Sequence, residues 1–392
     1  MSSHTPRVVI ALSGGVDSSV CAALLKAEGY DCAAVFYELW SDEPKQGKGW
    51  ENNCCSLEAY RDAQAVAKKL GIPLFRANIS KEFKKMVVDY FIEEYRTGRT
   101  PNPCVVCNSE LRFGLMLERA KKVFKADYLA TGHYVVRDHV DSWHKDSLEK
   151  YRDTEHHIFR AHDANKDQSY FLHKLNQEQL GSVIFPLGGM QKEKVRELAK
   201  KHGLPTASKH DSQEVCFIPK GKTAEFVRSK IGAIPGVLVD GAGQKIADHE
   251  DIGSLTVGQR RGIGALGLHP HHVVAKDMEA GTVTVSANRV AEQQMLARVE
   301  LEQVSLVGSP LIVGQQLQAR YRPLQEPFNV RVRVLEPLCV DIMDEIALVA
   351  PGQSLVLMRE DEILGGGVVS RADSYATLMA DKAHATRTQH TV

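Results

Sequence analysis

One short loop near the start of the chain constrains the fold more than any other feature. The residues Ser13-Gly14-Gly15-Val16-Asp17-Ser18-Ser19 follow the apolar run 8–12 and precede the apolar run 20–25. This order predicts a buried strand, a tight turn that glycine permits, and a helix whose first amides point outward. A helix N-terminus attracts anions, and the loop hydroxyls add further donors. The loop is therefore predicted to bind phosphate, with Asp17 facing Mg²⁺ or capping the helix.

The loop differs from a Walker loop in one important respect. A Walker loop ends in Gly-Lys-Ser or Gly-Lys-Thr, and its lysine binds the terminal phosphates of ATP. No lysine occurs between Ser13 and Ser19. The loop instead resembles the pyrophosphate-binding loop (PP-loop) of enzymes that cleave ATP to AMP and pyrophosphate. The alternative is a Gly-rich connector without a ligand, and the hydroxyls and the acid around two glycines argue against it.

Strand and helix signals alternate through the first half of the chain. Apolar periodicity predicts strands over 8–12, 33–37, 74–78 and 128–131, and helices over 18–28, 57–70, 82–96, 109–122, 175–180 and 191–202. The polar, His-rich stretch 138–157 is predicted to lack strands. This alternation indicates an α/β fold: an open, mostly parallel sheet with helices on both faces and ligands at the carboxyl ends of its strands.

The pattern changes after about residue 211. Short Val-, Ile- and Leu-rich runs at 236–239, 282–285 and 330–334 are separated by Gly and Pro, which is typical of small β-rich domains. We therefore expect four parts: a PP-loop domain over 1–210, a central β-rich domain over 211–303 with Cys216 near its start, a C-terminal β-barrel over 304–380, and a tail over 381–392.

Composition limits the partners of the chain. Lys plus Arg and Asp plus Glu both number 49, so a global basic field for nucleic acid is absent and any RNA contact must use local patches. One such patch runs from Lys192 to Lys230, with ten Lys and Arg against five Asp and Glu. No leader peptide and no run long enough to cross a bilayer is found, which predicts a cytoplasmic protein without membrane contact.

The cysteines of the chain suggest sulfur chemistry, because the cytoplasm keeps thiols reduced and disfavours a disulfide framework. Cys104 and Cys107 lie in a Pro-rich segment, 100–108, expected to be a loop that leads into a helix near Ser109; the dipole of that helix favours thiolate. Cys216 follows a polar loop inside the basic interval. A structural zinc site would need two further ligands, and no second Cys-x-x-Cys is present. The remaining thiols Cys21, Cys32 and Cys339 are predicted to be core residues, and Cys54-Cys55 lies in a polar segment.

Several separate motifs resemble the tRNA-specific 2-thiouridylase family of the MnmA type over most of residues 6–375. Besides the PP-loop and the cysteine motifs, they are Asn53-Cys54-Cys55-Ser56, Ala130-Thr131-Gly132-His133-Tyr134, Lys166-Asp167-Gln168-Ser169-Tyr170-Phe171-Leu172, Gly258-Gln259-Arg260-Arg261-Gly262 and Ala350-Pro351-Gly352-Gln353. The resemblance implies an adenine nucleotide alpha hydrolase-like sheet that uses ATP and Mg²⁺. The expected reaction adenylates O2 of the wobble uridine and then replaces that oxygen with sulfur, giving 2-thiouridine, AMP and pyrophosphate.

The resemblance also implies roles for individual residues. Cys216 would carry a persulfide received from a sulfur relay protein, and Cys107 would release the sulfur and form a disulfide with Cys216. ATP would contact Ala11, Leu12, Ser13, Gly14, Gly15, Val16, Asp17, Ser18, Tyr37 and Gly132. The target base would contact Asn102, Pro103 and Cys104. The rest of the tRNA would contact His133, Lys166, Asp167, Gln168, Ser169, Tyr170, Arg320, Tyr321 and Gln353.

One departure from the family pattern leaves two routes for the sulfur. Many members have Asp at the position of Cys104, so this chain places a third thiol near the base. With Cys107 and Cys216 it would complete three ligands of an iron–sulfur cluster that delivers sulfide. Alternatively Cys104 is a spare thiol and the persulfide route holds, since a persulfide is a strong nucleophile at neutral pH.

Two other classes of function remain open from the residues. The PP-loop also suits AMP-forming ligases in which nitrogen attacks the activated group, and these need no cysteines. A non-catalytic tRNA-binding protein with a vestigial nucleotide pocket would bind tRNA without forming AMP.

Overall fold

The computed structural model describes residues 5–40, 56–148, 150–151, 154–210, 215–264, 266, 269–287, 295–346 and 349–374. Three features of the sequence lie outside these ranges: Asn53-Cys54-Cys55, the segment 211–214 that precedes Cys216, and the tail 381–392.

The first part of the chain alternates strands and helices as predicted. In chain order it contains β1 (Arg7–Ala11), α1 (Val16–Ala27), β2 (Asp31–Glu38), α2 (Leu57–Leu70), β3 (Leu74–Asn78), α3 (Ser80–Phe83), α4 (Asp89–Arg96), α5 (Pro103–Val106), α6 (Leu117–Phe124), β4 (Tyr128–Ala130), β5 (Val136–Arg137), α7 (Lys145–Leu148), β6 (Ile158–Phe159), α8 (Gln177–Leu180), β7 (Val183–Ile184) and α9 (Lys192–Lys201). A π-helical segment, Lys84–Val88, joins α3 to α4, and another, Cys107–Met116, joins α5 to α6.

A five-stranded parallel sheet forms the centre of this part, in the order β3-β2-β1-β4-β7. Val8, Val9 and Ile10 of β1 have no exposed surface, as expected for a strand covered on both faces by helices. Cys21 and Cys32 are buried in the core beside this strand, which confirms their predicted packing role. The open parallel α/β sheet predicted from the sequence is thereby confirmed.

The helix predicted at 109–122 begins earlier than expected. Pro103 occupies its first turn, where a missing N–H breaks no hydrogen bond and the fixed φ suits a helix. The helical path is then continuous through the π-helical segment to Phe124. Cys104 and Cys107 therefore lie on helical backbone, and the expectation of a loop at these two thiols is wrong.

The second part is dominated by strands, with one helix that the sequence reading missed. Its elements are α10 (Thr223–Ile231), β8 (Gly236–Val239), β9 (Lys245–His249), β10 (His272–Asp277), β11 (Thr282–Ser286), β12 (Leu296–Leu306), β13 (Gln316–Arg320), β14 (Phe328–Leu335), β15 (Leu338–Ile342), β16 (Ser354–Arg359) and β17 (Glu362–Ser374). β8 to β11 form a four-stranded sheet in the order β10-β11-β8-β9.

The last six of these strands close into a barrel. Their order is β12-β15-β14-β13-β16-β17, and β12 also pairs with β17. The boundary predicted near Gln303 lies inside β12. Residues 298–301 of this strand pair with β15, which is a strand of the barrel. The whole of β12, from Leu296 onward, is therefore part of the barrel sheet. β17 continues onto β6 and β5, so strands that flank the stretch 138–157 extend the barrel sheet.

Candidate functional site

A cavity of about 240 Å³ opens at the carboxyl ends of β1, β2 and β4. Its walls bring together the PP-loop, two thiols and a group of polar residues that are far apart in the sequence. The lining residues are Ala11, Leu12, Ser13, Asp17, Ser18, Val35, Tyr37, Leu39, Cys107, Arg112, Met116, Thr131, Gly132, His133, Gln168 and Cys216. The PP-loop and the thiols of Cys107 and Cys216 therefore share one chamber.

Close packing fixes the shape of the PP-loop. Gly14 has φ +74°, and a Cβ there would lie 2.2 Å from the carbonyl oxygen of Ala59. A Cβ on Gly132 would lie 2.7 Å from the amide nitrogen of Ser18, so the end of β4 can approach the start of α1 only as glycine. Ser19 is fully buried and its hydroxyl donates to the carbonyl of Gly15 at 2.7 Å. Ser19 thus braces the loop, whereas Ser13 and Ser18 line the cavity.

The PP-loop acquires a lysine from a distant helix. The ammonium of Lys192, at the start of α9, donates to Oδ1 of Asp17 at 2.6 Å, and the hydroxyl of Tyr134 donates to the same oxygen at 2.8 Å. Only 7% of the Lys192 side chain is exposed. The cation missing from the motif itself is supplied 175 residues later in the chain. No local signal identifies Lys192, which the sequence reading treated only as the edge of a basic interval.

A chain of three polar side chains crosses another wall of the cavity. Nη1 of Arg112 lies 2.9 Å from Nε2 of His133, and Nδ1 of His133 lies 2.7 Å from Oγ1 of Thr131. Burial, assisted by the Arg112 guanidinium, lowers the pKa of His133 well below its usual range. The imidazole is therefore neutral: Nε2 accepts from Arg112, and Nδ1 donates to Thr131. Sequence reasoning placed His133 on the tRNA, but it lies inside the cavity with 5% of its surface exposed.

Packing of the next residue holds Cys216 against the cavity. Phe217 is 2% exposed, and its ring centroid lies between 5.5 and 6.4 Å from four other aromatic rings, which are those of Trp40, Phe83, Phe91 and Phe226. Cys107 faces the same cavity from the π-helical segment. The side chains of Cys104, Cys107 and Cys216 are all partly exposed.

Cys104 is not one of the described lining residues, so the three thiols do not all face the chamber. In the described part of the chain, no three side chains of His, Cys, Asp or Glu converge closely enough to hold a metal ion. The geometry groups Cys107 with Cys216 and leaves Cys104 on the adjoining helical turn.

The segment before these cysteines is clamped by the barrel. The side-chain amide of Gln353 donates to the carbonyl of Thr100 at 2.7 Å, and the Thr100 N–H donates to the carbonyl of Pro351 at 2.8 Å. Gly352 has φ +91°, and a Cβ there would lie 2.9 Å from the backbone of Thr100. Asn102, the N-cap of α5, shares a hydrogen bond with the hydroxyl of Tyr170. Gln353, expected on tRNA, thus binds the backbone just ahead of the predicted base-contacting residues.

Four other residues expected on tRNA form a buried network in the structure. Asp167, Ser169, Tyr170 and Arg320 have at most 2% of their surface exposed. Nη2 of Arg320 lies 2.7 Å from Oδ2 of Asp167 and donates to the hydroxyl of Ser169 at 2.6 Å. The Tyr170 hydroxyl lies 3.0 Å from the carbonyl oxygens of Tyr321 and Ser354. These side chains join the first part of the chain to the barrel, and the side chain of Tyr321, 7% exposed, packs in the barrel core.

Lys166 and Gln168, in contrast, face a more open cavity of about 880 Å³ between the first part of the chain and the barrel. Arg322, Leu324 and Gln325 line its barrel side. Asp17 and Gln168 line both cavities, so the two chambers adjoin at the PP-loop.

Seven of the residues expected to bind ATP line the smaller cavity: Ala11, Leu12, Ser13, Asp17, Ser18, Tyr37 and Gly132. Gly14, Gly15 and Val16 form the turn behind them, and Val16 is buried. Burial raises the pKa of the Tyr37 hydroxyl to about 12, so this side chain stays neutral. No helix in the described ranges has both the length and the apolarity to cross a membrane.

The fold and the cavity define an α/β nucleotide-binding protein with a PP-loop and paired thiols at the ends of its strands. Three family models match the chain in series: the tRNA methyl transferase HUP domain over residues 6–220, the tRNA methyl transferase PRC-barrel domain over 224–287, and the aminomethyltransferase beta-barrel domain over 296–369. The chain belongs to the family of MnmA tRNA-specific 2-thiouridylases.

Similarity to members of that family extends over nearly the whole chain. The tRNA-specific 2-thiouridylase MnmA of Geobacter metallireducens is 40% identical over 371 residues, covering 93% of this chain and 97% of that protein. The protein of the same name from Bacillus pumilus is 39% identical, covering 93% and 94%. Among solved structures, the U34-tRNA thiolase NcsA from Methanococcus maripaludis with its [4Fe-4S] cluster is 19% identical, with a TM-score of 0.31, and the match covers 55% of this chain and 61% of that one.

Proposed function

We propose that this chain is an ATP-dependent tRNA-uridine 2-sulfurtransferase that converts the wobble uridine to 2-thiouridine. The observation that carries the proposal is the cavity in which Ser13 and Ser18 of the PP-loop meet Cys107 and Cys216. A nucleotide-activated carbonyl and a nucleophilic sulfur have to meet in one place for this reaction. Family membership supports the same substrate, since the relatives are tRNA 2-thiouridylases.

The first step activates the base. O2 of the uridine attacks the α-phosphorus of ATP, the bond to the β-phosphate breaks, and pyrophosphate leaves onto the PP-loop with Lys192 beside it. The carboxylate of Asp17 and the hydroxyls of Ser13 and Ser18 line the cavity and suit Mg²⁺, which prefers oxygen ligands and usually takes one or two carboxylates together with substrate phosphates. Such an ion would neutralise charge on the departing pyrophosphate.

The second step exchanges oxygen for sulfur. The terminal sulfur of a Cys216 persulfide attacks C2, and the C2–O2 bond breaks as AMP leaves with the oxygen. The Cys107 thiolate then attacks Sγ of Cys216, so the persulfide bond breaks, the base keeps the outer sulfur as its thiocarbonyl, and a Cys107–Cys216 disulfide remains. An external thiol must reduce that disulfide, and a persulfide-carrying partner protein must reload Cys216.

The iron–sulfur route is the second candidate, and the third thiol at Cys104 favours it. A cluster would need Cys104, Cys107 and Cys216 as ligands, whereas two of them face the cavity and Cys104 is not one of its described lining residues. The three thiols as placed do not fit a cluster without rearrangement, and the persulfide route uses the pair that the cavity joins. We therefore place persulfide transfer first.

tRNA is proposed to approach over the larger cavity. Lys166 and Arg322 line it from opposite sides and Gln168 connects it to the PP-loop chamber. Cationic side chains in such a cleft suit phosphate contacts. The exposed Lys and Arg side chains of α9 and α10 extend the positive charge along the surface.

The test is tRNA-dependent release of AMP and pyrophosphate by the full chain, with 2-thiouridine measured by mass spectrometry of the digested tRNA. Cys216→Ser should abolish 2-thiouridine, and Cys339→Ser, which changes a half-buried thiol of the barrel, should not. A Cys216→Ser protein that still turns over would indicate a nitrogen-transfer ligase. Binding of tRNA without AMP formation by the wild type would indicate a non-catalytic protein.

Iron and sulfide analysis after anaerobic purification separates the two sulfur routes. Persulfide transfer predicts that wild type and Cys104→Ala contain no stoichiometric iron and that both thiolate tRNA. Stoichiometric iron that is lost in Cys104→Ala, together with lost thiolation, would establish the cluster route.

A further inference from the structure

Arg112 lines the PP-loop cavity but has no part in the reaction as described so far. It lies on the π-helical segment, five residues after Cys107, and both side chains face the chamber. π-Helical insertions are frequent at functional sites because they change which side chains share one face. The Arg112 guanidinium is therefore placed to contact a group of the bound substrate.

The partners that hold Arg112 are neutral. Nη1 donates to Nε2 of His133 at 2.9 Å and to Oδ1 of Asn108 at 3.3 Å. The lowered pKa of His133 keeps its imidazole uncharged, and Thr131 fixes the tautomer by accepting from Nδ1. These contacts orient the guanidinium without neutralising it, and further N–H donors remain on its other nitrogens.

Among the described residues, no carboxylate of the cavity neutralises Arg112. Asp17 contributes a carboxylate to the lining of the PP-loop cavity, and Oδ1 of this carboxylate lies 2.6 Å from the ammonium of Lys192. Across the described ranges, no Asp or Glu oxygen lies within 4.0 Å of the Arg112 guanidinium. The cavity therefore presents an oriented positive charge to an incoming anion.

We propose that Arg112 binds the α-phosphoryl group of the nucleotide, first in ATP and then in the adenylated base. The inference rests on the proposed function, in which O2 is bonded to C2 and to the α-phosphorus at once. The α-phosphorus must then lie between the PP-loop, which takes pyrophosphate, and the thiols, which attack C2. Arg112 lines the cavity that contains both the PP-loop and Cys107. A guanidinium fork matches two non-bridging oxygens of a phosphoryl group.

In this role Arg112 stabilises charge at both bond changes. It binds the non-bridging oxygens while the bond to the β-phosphate breaks, and again while the C2–O2 bond breaks and AMP leaves. Removing one such charged donor typically slows a reaction by about 100- to 1000-fold. The neutral His133 is a positioning residue in this scheme, because it acts through Arg112.

The test compares wild type, Arg112→Gln and Arg112→Lys in tRNA-dependent pyrophosphate release, using ATP and the two diastereomers of ATP with sulfur at one α-oxygen. We expect Arg112→Gln to slow release by about 100-fold or more and to reduce the wild-type preference between the diastereomers. Arg112→Lys should keep more of the rate but lose part of that preference, since it retains charge without the fork. The exposed Arg96→Gln is the matched control and should behave as wild type.

Other outcomes overturn the proposal. An unchanged diastereomer preference in Arg112→Gln would show that the α-oxygens do not contact Arg112. Wild-type pyrophosphate release combined with an upward shift in the pH profile of Cys107 alkylation would assign Arg112 to the thiolate instead. If Arg112→Gln does not fold, the diastereomer preference of Arg112→Lys decides alone. Absence of tRNA-dependent release by the wild type would instead refute the proposed function.

Discussion

Asp167→Asn tests whether the segment 166–172 joins two parts of the chain or contacts tRNA. The Asp167 carboxylate has no exposed surface, and its Oδ2 lies 2.7 Å from Nη2 of Arg320. Its Oδ1 accepts from the backbone N–H groups of Ala161 and Ser169, both at 3.1 Å. An asparagine preserves the shape and the Oδ1 contacts. It replaces Oδ2 with an N–H group that points at the guanidinium and leaves a buried cation without its anion.

The size of the effect depends on how many partners Arg320 keeps. Removing one partner of a buried ion pair destabilises a protein by about 3 to 5 kcal/mol. Arg320 keeps two other acceptors, the hydroxyl of Ser169 at 2.6 Å and the carbonyl of Pro323 at 2.8 Å, so the lower end applies. A loss of about 3 kcal/mol lowers the urea midpoint by roughly 1 to 3 M for typical denaturant slopes. Urea unfolding followed by circular dichroism measures this shift.

Two comparisons make the reasoning refutable. Lys166→Met changes the neighbouring residue, which faces the open cavity, and should weaken tRNA binding without moving the urea midpoint. A double variant with Asp167→Asn and Arg320→Met should recover much of the lost stability, because it removes the unpaired buried cation and keeps the Oδ1 acceptor for the N–H groups of Ala161 and Ser169. If Asp167→Asn keeps the wild-type midpoint and weakens tRNA binding as Lys166→Met does, Asp167 is a tRNA contact and the buried-pair argument fails.

Three further changes address the nucleotide, the cysteine segment and acid stability. Lys192→Met should raise KM for ATP about tenfold in tRNA-dependent pyrophosphate release, since Asp17 loses its cation at 2.6 Å; an unchanged KM would contradict this. Gln353→Ala removes the donor to the Thr100 carbonyl and should lower kcat for thiolation at constant tRNA affinity, whereas a raised Kd for tRNA at unchanged kcat would make Gln353 a tRNA contact. Burial lowers the pKa of His173 to about 4, so the unfolded chain binds a proton first as pH falls and stability is lost below pH 6.5. Between pH 7 and 5 this amounts to about 2 kcal/mol, and His173→Leu should reduce the loss of urea midpoint over that interval; an unaltered loss would refute the assignment.

Where local signals were strong, the sequence was enough to predict the fold. α2 has the predicted bounds because the Ser56 hydroxyl accepts from the N–H of Ala59 at its start and Gly71 ends it with φ +63°. The start of α5 was missed because the prolines around it were interpreted as loop residues, although proline is favoured in a first helical turn. α10 was missed because nearby glycines and prolines masked a helix of nine residues.

The sequence identified the motifs of the candidate site but not the partners of their side chains. The PP-loop and the two thiols could be named because their residue types carry the chemistry, and the cavity joins them. Lys192 contacts Asp17 only through tertiary packing, so the sequence around either residue does not indicate the contact. The burial of Asp167 and Arg320 could not be predicted, since charged side chains are usually exposed to solvent unless a buried partner is known.

The barrel supports the segment that carries Cys104 and Cys107, even though it contributes no residue to the described lining of the PP-loop cavity. It holds the carbonyl and the N–H of Thr100 through Gln353 and Pro351, four residues before Cys104. The barrel is also attached to the segment 166–172, through the buried pair of Asp167 and Arg320 and through the hydroxyl of Tyr170. Gln168 of that segment lines the same cavity. Because packed interfaces shift as units and do not bend gradually, a displacement of the barrel must move the cysteine segment with it. tRNA bound to the barrel side of the larger cavity, as proposed above, would therefore shift Cys107 through backbone contacts without touching the thiol.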